Sequence, residues 1–268
     1  GIKFSLDTEL GMVLSQQKIS DFSLSDFSLA LGDLKLTGSI DSAEQMAYIS
    51  GNIEAQSFDL LSQVAAFKQL VPDLYMPEMV DPQALKSVSL ISNFSIEPSQ
   101  TSEIQTQLVI DNQPIDINVL IDEQRYKMTT TISADALNLS PYFLKNTSAS
   151  NNAALFAPLA IPLALWHGKS QVEVHLGQLD LDNFSVSNIY LNLFGNRNVF
   201  KVNAFSADAS EGQIDATATL DLSNQVAVFN LQSSINNLNL EPLLGVSATN
   251  SDPQVEGVLN LTINLQGS

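Results

Sequence analysis

The chain contains no cysteine, few basic residues and no long apolar run, and each absence excludes a class of structure or function. Without cysteine, the 268 residues can hold neither a structural disulfide nor a thiolate metal site. Only 11 basic residues stand against 29 acidic ones, which gives a formal net charge of −18. This charge, together with the absence of a concentrated basic run, argues against nucleic-acid binding and against electrostatic docking onto anionic lipid head groups.

No stretch of the sequence is long and apolar enough to cross a bilayer or to serve as a signal peptide. The longest apolar run, around 155–166, is too short for a membrane span and includes Pro158 and Pro162. The N-terminal residues are not followed by the long apolar core of a signal peptide. Because the sequence starts on Gly1 and stops at Ser268 within a regular pattern, we expect a longer protein whose membrane anchor lies outside it.

Catalytic and metal-binding motifs are also missing. The two histidines, His167 and His175, are eight residues apart, and on a strand this spacing gives no shared ligand geometry. The sequence contains no Gly-x-Ser-x-Gly elbow, no phosphate-binding glycine loop and no His-Glu-x-x-His pair. We therefore predict that the protein is not an enzyme, has no catalytic residues and uses neither a metal nor a cofactor.

What the sequence does contain is a regular alternation of apolar and polar residues. It is clearest from Leu176 to Leu231, where Asp, Asn, Ser and Thr separate the apolar residues. A period of two places every second side chain on the same face of a strand, so the pattern predicts an antiparallel meander with one apolar face. Its turns are expected at 195–196, 211–212 and 223–224, where Gly, Asn, Glu and Ser interrupt the pattern.

The N-terminal part shows the same alternation with two interruptions and one change of period. Apolar spacings of three instead of two, from Ile19 to Phe22 and from Leu24 to Phe27, predict bulges or tight bends. Residues 59–71 have a helical period, which predicts a helix that Asp59 caps and Pro72 ends.

Further strands are predicted at Ser87–Ile96, Glu103–Ile110, Ile115–Ile121 and Tyr126–Ala134, with hairpin turns at 112–114 and 122–124. A flexible loop is expected near 145–152, and the apolar segment 153–166 fits either a helical turn or an extended plug. We divide the chain into an N-terminal β segment, 1–82, with its short helix, and a C-terminal β region, 83–268.

A weak internal repeat runs through the chain. At 58–60, 137–139 and 238–240, a strand ends in an apolar residue, then Asp or Asn, then leucine. A short apolar segment, expected to be helical, follows each time. The pattern predicts either a repeated unit or strand-to-helix transitions that use Asp or Asn as caps.

Several pieces of the C-terminal region occur in a characteristic order. They are Leu165-Trp166-His167-Gly168 before the strand LGQLDLDNFSVSNIYLNL, the turn Glu211-Gly212 before a strand ending in Leu220-Asp221-Leu222, the apolar-x-Leu-x-Pro-Leu-Leu segment 238–244, and Val255-Glu256-Gly257-Val258-Leu259-Asn260-Leu261. This ordered set resembles the AsmA family over about Ser133 to Ser268 and is weaker near the N-terminus. Where such proteins commonly have Tyr-Gly-Gly, this chain has Ser210-Glu211-Gly212, which alters one turn and leaves the strand pattern intact.

The resemblance implies a non-enzymatic periplasmic segment of a Gram-negative protein, held in the inner membrane by an N-terminal helix outside this sequence. AsmA-like proteins are similar to TamB-like and chorein-type lipid conduits. That likeness implies a mainly β fold, in which a strongly curved antiparallel sheet forms an open groove or half-barrel with one or two short helices. The implied function is to bind or conduct phospholipid between the inner and outer membranes and to support outer-membrane integrity.

The apolar face of the meander is the candidate lipid site. If the sheet curls without closing, this face could hold the acyl chains of a phospholipid or another acyl lipid, since each buried methylene is worth about 0.8 kcal/mol. The candidate residues are Phe184, Val186, Leu191, Leu193, Val202, Ala204, Ile214, Ala216 and Leu220. The alternative is that they fill the core of a closed sandwich. The rival function is then an extracellular or cell-surface structural or adhesive β-protein without a lipid ligand.

Overall fold

The structure is a computed structural model, and it describes residues 4–15, 18–68, 79–97, 100–143, 169–181, 184–224, 226–240 and 257–268. As predicted, the fold is mainly β and its strand pairs are mostly antiparallel; the described residues also form one α-helix and one 3-10 turn. The chain forms two compact units: unit 1 comprises Gly1–Tyr126 and Pro141–Lys145, and unit 2 comprises Lys127–Ser140 and Asn146–Ser268. The boundary that the sequence places between residues 82 and 83 stays a prediction.

The described residues of unit 1 form seven strands, and strands that follow each other in the chain are antiparallel neighbours. They are β1 (Phe4–Ser15), β2 (Lys18–Leu31), β3 (Leu34–Ala43), β4 (Tyr48–Phe58), β5 (Val88–Ile96), β6 (Thr101–Ile110) and β7 (Gln113–Asp122). Apolar residues pair with apolar residues: Leu29 of β2 lies opposite Leu6 of β1 and opposite Leu36 of β3. Directly opposed residues point to the same side of a sheet, so unit 1 has one apolar face.

Both interruptions predicted in β2 are confirmed as irregularities of the strand ladder. The register with β1 shifts between Val13 and Leu14, near Ile19, and the register with β3 shifts between Leu24 and Phe27. Asp26, inside the second interruption, has a positive φ of 49°. A bulge residue is left out of the ladder, so an apolar spacing of three keeps the next apolar side chain on the same face.

The predicted helix is present as α1 (Leu60–Lys68). Asp59 caps it as expected, because its Oδ1 atom accepts a hydrogen bond from the backbone N–H of Ser62 at 2.9 Å. The same hydrogen bond, which stabilises the ionised carboxylate, lowers the pKa of Asp59. Pro72, which was expected to end the helix, lies outside the described residues.

Asp111 holds several segments of unit 1 together. Its carboxylate accepts hydrogen bonds from the backbone N–H of Leu85 at 2.6 Å, from that of Ser87 at 3.0 Å and from the Tyr142 hydroxyl at 3.0 Å. The carbonyl oxygen of Leu85 accepts a bond from the N–H of Leu60, the first residue of α1, at 2.9 Å. The β6–β7 turn, the start of the helix and the 3-10 turn Ser140–Tyr142 are therefore linked through one side chain.

The part of unit 2 that the structure describes also forms seven strands in chain order. They are β8 (Lys127–Asn138), β9 (Lys169–Leu181), β10 (Phe184–Asn196), β11 (Val199–Ala209), β12 (Gly212–Asp221), β13 (Val228–Asn239) and β14 (Val258–Gly267). All neighbours are antiparallel except β8 and β9, which are parallel. The sequence pattern did not predict this pair. Parallel pairing requires a connection of a dozen residues or more, and the sequence between Asn138 and Lys169 is long enough for this.

Three predicted turns are displaced by one or two residues. The structure places them at 111–112, 197–198 and 210–211 instead of 112–114, 195–196 and 211–212. In the first and third turns both residues have a positive φ, which suits the right-handed twist of the flanking strands. Here Asp, Asn, Ser and Glu take the conformation for which glycine is the usual choice.

The repeat is visible at two of its three places. The triplet at 58–60 leads into α1, and the triplet at 137–139 leads into the 3-10 turn. The Oδ1 atom of Asn138 accepts a hydrogen bond from the N–H of Ser140 at 3.0 Å, as Asp59 does from Ser62. Both interpretations of the pattern predict such caps, and the segment after Leu240 lies outside the described residues.

Few apolar side chains of the described residues are fully buried. The buried hydrophobic residues are Ala55, Ala84, Val88, Ala134, Ala207, Ala209 and Leu238. Most of them are alanines, whereas many leucines, valines and isoleucines of the strands remain partly exposed. Besides strands, the described residues supply only α1 and the 3-10 turn, so they place no second layer against most of the apolar sheet area.

Two predicted segments, the loop near 145–152 and the apolar segment 153–166, lie outside the described residues. Among the residues that are described, no helix has the length and apolar character that crossing a membrane requires.

Candidate functional site

The apolar face of unit 2 is built from side chains that alternate along β12 and are matched in every neighbouring strand. In β12, Ala216 and Ala218 point to the same side because they are two residues apart. The row through Ala218 consists of Thr130, Val172, Leu193, Val202, Ala218, Leu231 and Leu265, one residue from each strand from β8 to β14. It is apolar apart from Thr130 at its end.

The next row, through Ala216, is arranged in the same way. Its members, again one from each strand, are Ile132, Val174, Leu191, Phe205, Ala216, Ser233 and Ile263. The polar atom of Ser233 is satisfied, because its Oγ donates a hydrogen bond to the carbonyl oxygen of Asp215 at 3.0 Å. Neither row contains a charged residue, so the face offers an uncharged surface that continues across all seven strands.

The opposite face of unit 2 is polar. Between the two rows on that side, Glu173 of β9 lies opposite Asn192 of β10, and Asn192 Nδ2 donates a hydrogen bond to Glu173 Oε1 at 3.1 Å. On the same polar face, further along the sheet, Thr217 of β12 lies opposite Gln232 of β13, and Gln232 lies opposite Asn264 of β14. The acidic and amide side chains therefore face away from the apolar rows.

The structure brings most of the predicted groove residues onto the apolar face. Leu191, Leu193, Val202 and Ala216 belong to the two rows, and Ile214 and Leu220 flank them in β12, opposite Ile235 and Phe229. Phe184 and Val186 lie opposite Leu181 and Leu179 near the start of β10, outside the two rows. All are partly exposed, and Leu220 is 38% exposed.

Ala204 does not lie on the apolar face. It is opposite Asn192, whereas its neighbour Phe205 is opposite Leu191. The register of β11 shifts between Val202 and Phe205, so the apolar spacing there is three, as it is in β2. Sequence alternation alone continues from Val202 to Ala204 and misses Phe205, although the same spacing of three had indicated bulges near the N-terminus.

The apolar face also includes strands that were left out of the candidate list. Ile132 of β8, Val174 of β9 and Leu265 of β14 carry the same alternation and extend the rows to both edges of unit 2. Leu261 and Leu265 of β14 are 40% and 50% exposed. Such an extended, uncharged and partly exposed surface can bind apolar molecules by removing both surfaces from water.

The described residues show no arrangement for metal chemistry, since no three His, Asp or Glu side chains among them are placed to hold an ion. On the polar face, the ring of His175 is tilted by 46° against the ring of Tyr190, with 5.1 Å between the ring centroids, and the His175 Nε2 atom lies 3.9 Å from Glu173 Oε2.

Comparison with known proteins agrees with the sequence pattern. Neither the curated proteins nor the solved structures include a match to this chain. The family model described as "AsmA family" matches residues 89–268, which include the whole region of the predicted resemblance. The AsmA family is not known as a family of enzymes. Because the matched region is more than half of the chain, the protein belongs to the AsmA family.

Proposed function

We propose that the apolar face of unit 2 binds the acyl chains of phospholipid, and that the protein is a non-enzymatic, periplasmic part of an inner-membrane-anchored protein. Its role is to conduct phospholipid between the inner and outer membranes and so to support outer-membrane integrity. Membership of the AsmA family is consistent with a cell-envelope, lipid-transport-related role.

One observation carries the proposal: two uncharged rows cross all seven strands of unit 2 without a second layer among the described residues. At about 4.8 Å per step between strands, each row is about 29 Å long, which is enough for an extended acyl chain. Burial of each methylene contributes about 0.8 kcal/mol, so a chain lying along a row gains several kcal/mol.

The character of the polar face also supports lipid binding at the apolar face. Its carboxylates and amides would lose hydration if an acyl chain covered them, so lipid is expected on one face only. Neighbouring residues of β12 therefore provide a matched test, because Ala216 lies in an apolar row and Thr217 lies on the polar face.

The test places a photo-crosslinking amino acid at each position from Ile214 to Thr219 in turn. Purified protein is irradiated with detergent-dispersed phospholipid, and lipid adducts are measured by mass spectrometry. We expect adducts at 214, 216 and 218 and few at 215, 217 and 219. Equal labelling of odd and even positions, or no adduct at any position, would reject the proposed lipid face. Native mass spectrometry of the unmodified protein then gives the lipid stoichiometry.

A further inference from the structure

The positive charges of unit 2 are gathered at one end of its sheet. Its Lys and Arg residues are Lys127, Lys169, Arg197 and Lys201, and no Lys or Arg follows Lys201 up to Ser268. Lys127 and Lys169 are the first residues of the parallel strands β8 and β9 and lie opposite each other. Arg197 is in the turn between β10 and β11, and Lys201 is the third residue of β11. We call these four residues the basic end.

Three of the basic-end residues, Lys127, Lys169 and Lys201, lie within strands, and the strand pairing places their side chains on the same side of the sheet. Lys169 lies opposite Asn196, and Lys201 lies opposite Phe194, two residues away in the same strand. All four side chains are exposed, and none forms an ion pair with a residue that the structure describes. Neighbouring strands are only about 4.8 Å apart, so the like charges of the adjacent Lys127 and Lys169 repel each other and favour an anionic partner.

Acidic residues of unit 2 are concentrated towards the opposite strand ends. Asp135 is near the end of β8, Asp180 is near the end of β9, and Asp208 and Glu211 are at the β11–β12 turn. Glu173 and Asp215 lie between the two ends, and Asp221 is the acidic residue at the basic end. The described part of unit 2 is therefore polarised along its strands.

Exposed apolar side chains lie at the same strand ends as the basic residues. They are at the end of β12 and the start of β13: Leu222 is 43%, Val226 58%, Val228 45% and Phe229 44% exposed. Phe229 lies opposite Leu220 and continues the apolar face to its end, whereas Val228 lies opposite Asp221, on the side of the sheet that carries Lys201. A bilayer surface binds this combination, since its anionic head groups attract Lys and Arg and its acyl boundary takes apolar side chains.

We propose that the basic end of unit 2, with Leu222, Val226, Val228 and Phe229, docks onto the surface of an anionic phospholipid bilayer. The net charge of −18 does not prevent this, because charges more than about 8 Å away are largely screened at physiological ionic strength. Docking in this orientation brings the end of the apolar face to the bilayer, and to that extent the inference rests on the proposed lipid function.

The test compares two variants that lose the same charge. The basic-end variant is Lys127→Gln/Lys169→Gln/Lys201→Gln. The control is Lys35→Gln/Lys68→Gln/Lys86→Gln, which removes three exposed cations of unit 1. Binding is measured by flotation with vesicles of phosphatidylcholine alone and with vesicles containing an equal share of phosphatidylglycerol. A third variant, Lys127→Arg/Lys169→Arg/Lys201→Arg, keeps the charge and tests whether the positions tolerate substitution.

We expect wild-type protein, the control and the Lys→Arg variant to bind the anionic vesicles similarly. The affinity of the basic-end variant for these vesicles should be lower by a factor of about ten or more. Equal losses in the basic-end variant and the control, or wild-type protein that ignores anionic vesicles, would overturn the proposal. The crosslinking test uses detergent-dispersed lipid and does not need docking. Adducts at Ala216 together with absent vesicle binding would therefore reject the docking surface while leaving the lipid face in place.

Discussion

The hydroxyl of Tyr142 donates a hydrogen bond to Asp111 Oδ2 at 3.0 Å and accepts one from Gln113 Nε2 at 2.9 Å. Three effects raise the pKa of Tyr142 to about 12. The largest is burial of the phenol, followed by its hydrogen bond to Asp111 and by the negative charge of Asp111. A deprotonated Tyr142 would place a second negative charge beside the carboxylate, so the folded state favours the neutral phenol.

This relationship predicts a loss of stability at alkaline pH. The folded-state pKa lies above the ordinary value of 10.0, so the contribution of Tyr142 is complete below about pH 10 and is lost as the pH rises through about 12. Tyr142→Phe should cost about 1 kcal/mol at neutral pH and lose less stability than wild type between pH 8 and about 11. Urea denaturation at both pH values measures this. Tyr126→Phe, at a side chain that is 79% exposed, serves as the control and should follow wild type.

Gly212 is predicted to be indispensable for the pairing of β12 with β13. A Cβ atom there would come within 2.6 Å of the backbone oxygen of Asn236 and of the Cα and N atoms of Leu238. Backbone atoms cannot move aside as a flexible side chain can, so Gly212→Ala should destabilise the protein by about 1–3 kcal/mol in chemical denaturation. At Gly257, the added Cβ would meet only Leu240 Cδ1 at 3.9 Å. Gly257→Ala should therefore change the free energy of unfolding by less than about 0.5 kcal/mol, and equal effects at both glycines would contradict the close approach.

Aspartate substitutions distinguish an open apolar face from a closed core. Ala216→Asp places a charge in an apolar row, whereas Thr217→Asp adds the same charge to the polar face. We expect Ala216→Asp to lose co-purifying lipid and to keep its circular dichroism spectrum, because an acyl chain cannot cover an unpaired carboxylate. Thr217→Asp should keep both lipid and fold. If Ala216→Asp fails to fold while Thr217→Asp folds, Ala216 is an ordinary core residue and the face is not open.

Much of the candidate site could be predicted because the alternation of apolar and polar residues is local. Leu191, Leu193, Ile214 and Leu220 reach the apolar face simply because strand side chains alternate. Ala204 shows where this stops: one bulge residue changes the side on which every following side chain points, and the sequence does not say which residue it is. The displaced turns could not be predicted for a similar reason. Asp111 and Ser210 take a positive φ, which nothing in their local sequence requires.

By itself, the sequence determined the mainly β character, the helix that follows Asp59 and the division of each strand into an apolar and a polar face, because these depend on residues a few positions apart. Only the tertiary structure decided which residues of different strands lie side by side. Lys127 and Lys169 become neighbours through the parallel pairing of β8 and β9, and Leu193 and Val202 continue one row through the register of β10 and β11. Register is fixed by hydrogen bonds between segments that are separated in the chain, and no local pattern contains that information.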